Sequence, residues 1–408
     1  MEKPLNHIAL AQALRDIVRK VDLGGVRDSL LDGAPVRHHP SLDLAVIAFP
    51  EQGAPVWANV LFSREYPDGL IGEIPADGAS LANVHFLADQ TDAARNCIVW
   101  APDSHWDQLN WTTLAGTGPH RHVAPYPASL LKVMVAVGVC RLLDTGRYDW
   151  SQPWVYGEQT QTIAAWCDAM IVTSNNDATS AMVALLHHAG LITRDASGEV
   201  HNGLNTLFSQ LGLPTLQLNN TKADGGWRNG DGAGVGHLHM TAWDSARLLW
   251  LLLDTLPAAP WLPASTTAPL SPASRARFWG WMQDQALHEI LSSTALAGVA
   301  GWQRGIPAQL PTRWIQSDGS VRADDYDFPA DVRPENARAT VRFAHKTGTT
   351  ENYVSDAGWV EGKGGRRYLI ALLTNLGTRY APDAVCATDW RIPQIGAAVD
   401  TWLKQHLE

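Results

Sequence analysis

Ser129-Leu130-Leu131-Lys132 puts a hydroxyl and an amine three residues apart at the start of an apolar stretch, just after Pro125, Pro127 and Ala128. Residues three apart share a helix face, so the two groups can meet. A lysine on so apolar a helix loses solvation, which favours its neutral form. A neutral amine can take the proton of a serine and leave a nucleophile behind. The helix start also offers free N–H groups and positive potential where an oxyanion would form. The plainer alternative is a serine cap followed by a lysine that snorkels to water.

A second group is Ser174-Asn175-Asn176. Its hydroxyl can relay a proton, and Asn176 can hold an amide by donating and accepting at once. Simple helix capping is the alternative use of these residue types. A third group is Lys346-Thr347-Gly348-Thr349-Thr350, at the end of a predicted strand. A lysine and a hydroxyl beside a glycine-opened strand edge suit a carboxylate. Gly348 lets a substrate approach the backbone, and the N–H that follows can serve an oxyanion. A polar turn closing a strand would look similar. The chain has seven lysines, and two fall in these motifs.

The elements that must position these groups follow from the apolar pattern. Residues 1–22 read as an amphipathic helix, and Leu42–Phe49 with Val56–Phe62 as a hairpin. Residues 63–94 show no clear period, and Cys97–Trp100 reads as a short strand. Leu130–Leu143 is a helix buried nearly all round that stops at Gly146. Thr162–Val172 and Ala178–His188 are helices broken by Thr173–Asn176, with Gly190 ending the second. Leu204–Leu211 and Thr241–Leu256 are further helices. Thr340–His345, Asp356–Val360 and Tyr368–Asn375 are strands, the last two joined by a turn at Glu361–Gly365. Ile395–Leu407 closes the chain as a helix.

Strands, then helices, then strands, then a helix imply an α+β fold. An antiparallel sheet is formed by both chain ends with flanking helices, plus a mostly helical subdomain. The expected division is residues 1–94, packed on the main domain, and a catalytic domain over 95–408 with an insertion near 257–335.

Together the three groups, SxxK, SxN and KTG, occur in the order used by penicillin-recognising serine enzymes. The chain resembles class A β-lactamases and the related penicillin-binding proteins. The likeness is carried by Tyr126-Pro127-Ala128-Ser129-Leu130-Leu131-Lys132, by His345-Lys346-Thr347-Gly348-Thr349-Thr350, and by Asp356-Ala357-Gly358-Trp359-Val360 with the strand after it. It covers about residues 95 to 408, with an unmatched stretch near 257–335. It implies that Ser129 is acylated, that Lys132 is its base, and that Ser174 relays the proton to the leaving nitrogen. Asn176 would hold an acylamide side chain, and Lys346 and Thr347 a carboxylate. The N–H groups of Ser129 and Thr349 would form the oxyanion hole.

Two positions depart from the class A pattern. That class carries a glutamate after the SxN motif to activate the deacylating water. Here Asn219-Asn220-Thr221-Lys222-Ala223-Asp224 stands there, leaving Asp224 or the earlier Glu199 as candidate bases. The usual aspartate of the second motif is Asn175. The expectation is a serine hydrolase acting through an acyl-enzyme on β-lactams or related amides and peptides. The alternatives are a D-alanyl-D-alanine-type carboxypeptidase or transpeptidase, or a penicillin-binding sensor that does not turn over.

Composition narrows the field. The net charge is −10 and no basic run stands out, so no nucleic-acid partner is expected. No apolar run reaches the ~18 residues of a membrane span. No apolar segment follows the first lysine in the manner of a secretory signal. The expectation is a cytoplasmic protein, or a periplasmic or secreted one if an export signal has been removed. The four cysteines are scattered and read as isolated buried thiols. His237-x-His239 has no obvious third ligand, so neither metal nor cofactor is expected. The partner is a small-molecule or peptide substrate.

Overall fold

A computed structural model of the chain describes residues 5–93, 97–100, 106–381 and 386–408. Its centre is a six-stranded antiparallel sheet. The strand order is Val341–Thr349, Val354–Gly362, Arg367–Thr374, Leu42–Ala48, Val56–Phe62 and Leu70–Ile71. The expected N-terminal hairpin therefore lies within the same sheet as the C-terminal strands. Every residue of Leu42–Ala48 and Val56–Phe62 is buried, so both faces of the sheet are covered. The helices His7–Arg19, Ala242–Leu252 and Pro272–Gln283 pack against its strands. The helix Arg391–Leu407 is tied to the sheet by Asp400, which accepts from Arg366 at 2.8 Å and from the Tyr368 hydroxyl at 2.9 Å. Asp43 in the sheet accepts from the Ala242 N–H at 2.8 Å and so caps the start of Ala242–Leu252.

The helical region holds Lys132–Asp144, Ile163–Val172, Asn176–His188 and Gly203–Gln210. Lys132–Asp144 buries all but two of its residues, as its continuous apolar run implies. Thr162 and Asn175 cap the next two helices, each through a side chain that accepts from the backbone three residues on. Gly190 takes a φ of +76° just past the second of these, a conformation that costs glycine little.

Three readings need correction. Cys97–Trp100 is an isolated bridge from Cys97 to Thr91 and a 3-10 turn over Ile98–Trp100. Residues 63–94 contain two strands, Leu70–Ile71 and Val84–Ala88. The KTG residues lie inside Val341–Thr349 rather than after it, because their hydrogen-bond register with Val354–Gly362 continues to Thr349↔Val354.

The stretch near 257–335 contains the helix Pro272–Gln283 and a hairpin of Val321–Ala323 and Tyr326–Phe328. The many tryptophans pack as large rings with a polar edge. Trp166, Trp243 and Trp250 are almost wholly buried, and each indole N–H donates to a backbone carbonyl at 2.7–3.0 Å. Among the described residues no helix is long and apolar enough to cross a membrane.

Candidate active site

Ser129 sits in a 3-10 turn, Ala128–Leu131, that leads directly into Lys132–Asp144. Ala128 before it has a φ of +48°, which is unfavourable for any residue with a Cβ. The edge strand Val341–Thr349 runs beside this turn. A Cβ placed on Gly348 would lie 2.6 Å from the Ser129 nitrogen and 2.5 Å from the Ser355 hydroxyl. No side chain fits there, so glycine is required for the strand to reach the serine backbone. The Ser355 hydroxyl donates to the Pro127 carbonyl at 2.5 Å and fastens the turn to the next strand.

Ser174 links the two lysines. Lys132 Nζ lies 2.5 Å from the Ser174 carbonyl, 3.0 Å from its hydroxyl and 2.9 Å from Asn176 Oδ1. Lys346 Nζ reaches the same hydroxyl at 2.9 Å and the Thr347 carbonyl at 2.7 Å. Ser174 is held at a φ of +60°. That conformation costs on the order of 1–2 kcal/mol. Two hydrogen bonds to its hydroxyl, at about 1 kcal/mol or more each, are enough to offset it.

The electrostatics favour a neutral Lys132. Burial lowers its pKa well below the ordinary lysine value, and its charged neighbours Lys346 and Arg228 lower it further. A neutral amine can donate to the Ser174 carbonyl and to Asn176 and still accept the Ser174 proton. Lys346 is lowered to about 7 by burial, while Asp356 and Glu289 work in the opposite direction. Behind it His345 Nδ1 meets Asp356 Oδ1 at 2.8 Å, both fully buried. Burial lowers the His345 pKa, with Lys346 lowering it further, and burial raises the Asp356 pKa.

Ser129, Ser174, Thr347, Gly348 and Thr349 all line one cavity of about 450 Å³. Lys132 and Lys346, both buried, stand behind its wall and meet at Ser174, and the exposed Asn176 accepts from Lys132. No hydrogen bond joins Lys132 to Ser129 among the described residues; the amine is engaged by the second motif instead.

The two candidate deacylation bases lie elsewhere. Asp224 borders a separate open hollow of about 960 Å³ with Arg194 and Lys222, and its carboxylate accepts from the Gly226 N–H at 3.1 Å. Glu199 accepts from Asn202 at 3.2 Å and from the Asn220 N–H at 3.1 Å. The segment that follows Asn219–Asp224 instead lays the Trp227 ring over Lys132, with the amine 5.7 Å from the ring centroid.

Sequence reasoning missed Trp227, Glu289 and the insertion hairpin, whose Tyr326 and Phe328 line the cavity. Asp324 at the hairpin tip accepts from Asn175 Nδ2 at 3.0 Å and so pins the insertion to the second motif. None belongs to a short motif. The nearest signal was the unassigned length of chain between Pro257 and Pro334.

One solved structure shares the fold, and others are similar at lower scores. A penicillin-binding protein A carrying the substitution L158E, an acyl-enzyme with penicillin G, is 14% identical with a TM-score of 0.51, the match covering 99% of this chain and 100% of that one. A β-lactamase from Sphaerobacter thermophilus is 12% identical at a TM-score of 0.47, covering 98% and 99%. A reconstructed class A β-lactamase of the last common ancestor of Gram-negative bacteria is 15% identical at 0.48, covering 97% and 99%. No curated protein matches. The model of the beta-lactamase enzyme family matches residues 118–389, a span that takes in all three motifs, and the chain belongs to that family.

Proposed function

We propose that this protein is a serine acyl-transfer enzyme that opens β-lactams, or cleaves related amides and peptides, through an acyl-enzyme on Ser129. The observation that carries the reading is one hydroxyl, Ser174, bonded at 3.0 and 2.9 Å to two buried lysines of depressed pKa, in the cavity that Ser129 lines. In this reading Lys132 is the base, taking the Ser129 proton directly or through Ser174. The proton then passes to the departing nitrogen. Lys346 and Thr347 take the substrate carboxylate and Asn176 an acylamide group. The N–H groups of Ser129 and Thr349, at the turn and on the edge strand, receive the oxyanion.

Release of the acyl group is slow in this reading. The flank of Lys132 is covered by an indole, and its charged neighbours are cations. Water left without a positioned carboxylate is poorly activated. That favours behaviour like a penicillin-binding protein, whether carboxypeptidase, transpeptidase or sensor, over that of an efficient β-lactamase. Intact-mass measurement after exposure to a penicillin tests both parts. A single adduct on Ser129 that persists for many minutes is expected. An unchanged mass, with the penicillin intact, would remove the acyl-transfer reading. Rapid return to the free mass with hydrolysed penicillin would remove the slow-release part.

A further inference from the structure

The cavity wall beyond Thr347 comes from residues that no motif contains. Glu289, Asp325 and Asp327 are carboxylates on that wall, and neither lysine nor arginine is among the described residues that line it. Tyr326 and Phe328 line it too, with rings 6.4 Å apart and only 16° from parallel. Asp327 lies 3.5 Å from Arg322 in an exposed pair, which occupies part of its charge. Glu289 has no hydrogen bond or ion pair with the described residues. Its pKa is raised to about 7 by burial, with Asp356 adding to the rise and Lys346 opposing it. The Tyr326 phenol is raised to about 12 by burial and by Glu289, Asp325 and Asp324, so these carboxylates converge on one ring. Aromatic faces edged by carboxylates are the chemistry of cation recognition.

We infer that the catalytic cavity selects a substrate whose leaving part carries a cationic group, held between Glu289, Asp325 and the faces of Tyr326 and Phe328. This rests on the acyl-transfer reading and adds the substrate class to it. The hairpin is fixed for the purpose: Asp324 holds its tip to Asn175 at 3.0 Å, so the wall is anchored to the element that carries Ser174.

Two thioesters with one neutral acyl group test it. One releases thiocholine, a quaternary ammonium, and the other its uncharged tert-butyl isostere. In each, the Ser129 Oγ–carbon bond forms, the carbon–sulfur bond breaks, and the hydroxyl proton passes to the departing sulfur or to solvent. Thiol release and the mass of the acyl-enzyme are followed together. The thiocholine ester is expected to acylate roughly tenfold faster, the scale of one partly screened charge contact. Glu289→Gln and Asp325→Asn should each move that ratio toward one, and added salt should do the same in the wild type. Equal rates for the two esters in the wild type, with Ser129 acylated by both, would overturn the cation site and leave the acyl-transfer reading standing. Acylation by neither ester nor by a penicillin would overturn the acyl-transfer reading and this inference with it.

Discussion

Lys132 and Lys346 reach the same serine hydroxyl from opposite elements, one from a helix and one from a strand, and both are completely buried. Their surroundings differ. Lys132 sees a carbonyl, an amide oxygen, an indole face and two cations. Lys346 sees Asp356 and Glu289, which partly restore its charge and hold it at about 7. Burial alone would make both amines neutral. The counter-charges beside the strand separate them, so the helix holds a neutral amine and the strand a group that is cationic for part of the time. One hydroxyl between them can then accept from one and donate to the other.

The sharpest way to break this comparison is to remove the serine proposed as the nucleophile. Ser129→Ala should abolish covalent labelling by penicillins and fluorophosphonates while the circular dichroism spectrum is unchanged. Undiminished labelling would place the nucleophile elsewhere. Next in size is Lys132→Ala. Loss of a general base costs ~10² or more in acylation rate, and stopped-flow acylation at neutral pH should show it. An unchanged rate would reduce Lys132 to a buried strut for Ser174 and Asn176.

The residues of this comparison were legible because each lies in a short motif, and the elements around them because their apolar patterns are strong. The helix that begins at Lys132 and the strands Val341–Thr349 and Arg367–Thr374 needed little beyond periodicity. What modifies the lysines was not legible. Trp227 meets Lys132 across 95 residues of chain, and Glu289 approaches Lys346 from a stretch without pattern. Charge and ring contacts of this kind depend on tertiary placement, which has no local signature. The 3-10 turn at Ile98–Trp100 failed for another reason: a short apolar run does not distinguish strand from turn.

Lys346→Met sharpens the comparison through pH. The folded chain protonates Lys346 near 7 and the unfolded chain near the ordinary 10.5. Between those values the unfolded state binds more protons, so this group makes stability rise with pH. Below about pH 7 both states are protonated, and the full cost of the buried ammonium is present. Lys346→Met removes that cost. Its gain in stability should be largest near pH 6, on the order of a few kcal/mol less the ~1–3 kcal/mol of lost hydrogen bonds, and should shrink toward pH 10. Urea midpoints of both proteins across this range provide the measurement, and a difference independent of pH would mean that Lys346 is not depressed. The same variant should lose more rate with a thioester of mercaptopropionate than with a neutral one, because only the first offers a carboxylate to the cation.

The smallest effect is expected at the two carboxylates that the sequence offered as deacylation bases. Asp224 lies outside the cavity that Ser129 lines, and its oxygen is occupied by a local turn at Gly226. Asp224→Asn keeps an oxygen acceptor at the same place, so release of a penicilloyl group should stay within about twofold of the wild type. Glu199 ties Asn202 to the backbone of Asn220, and these two residues set the start of Gly203–Gln210 and the segment that leads toward Trp227. Glu199→Gln should therefore cost about 0.5–1.5 kcal/mol of stability through the weakened bond to the Asn220 N–H, with no specific loss in release. The two readouts separate the roles. A melting shift with unchanged release assigns Glu199 to the loop. A release rate that falls tenfold or more in either variant, without a matching loss of stability, would show that the segment swings a carboxylate over Ser129 during turnover, and the slow-release reading would then be wrong.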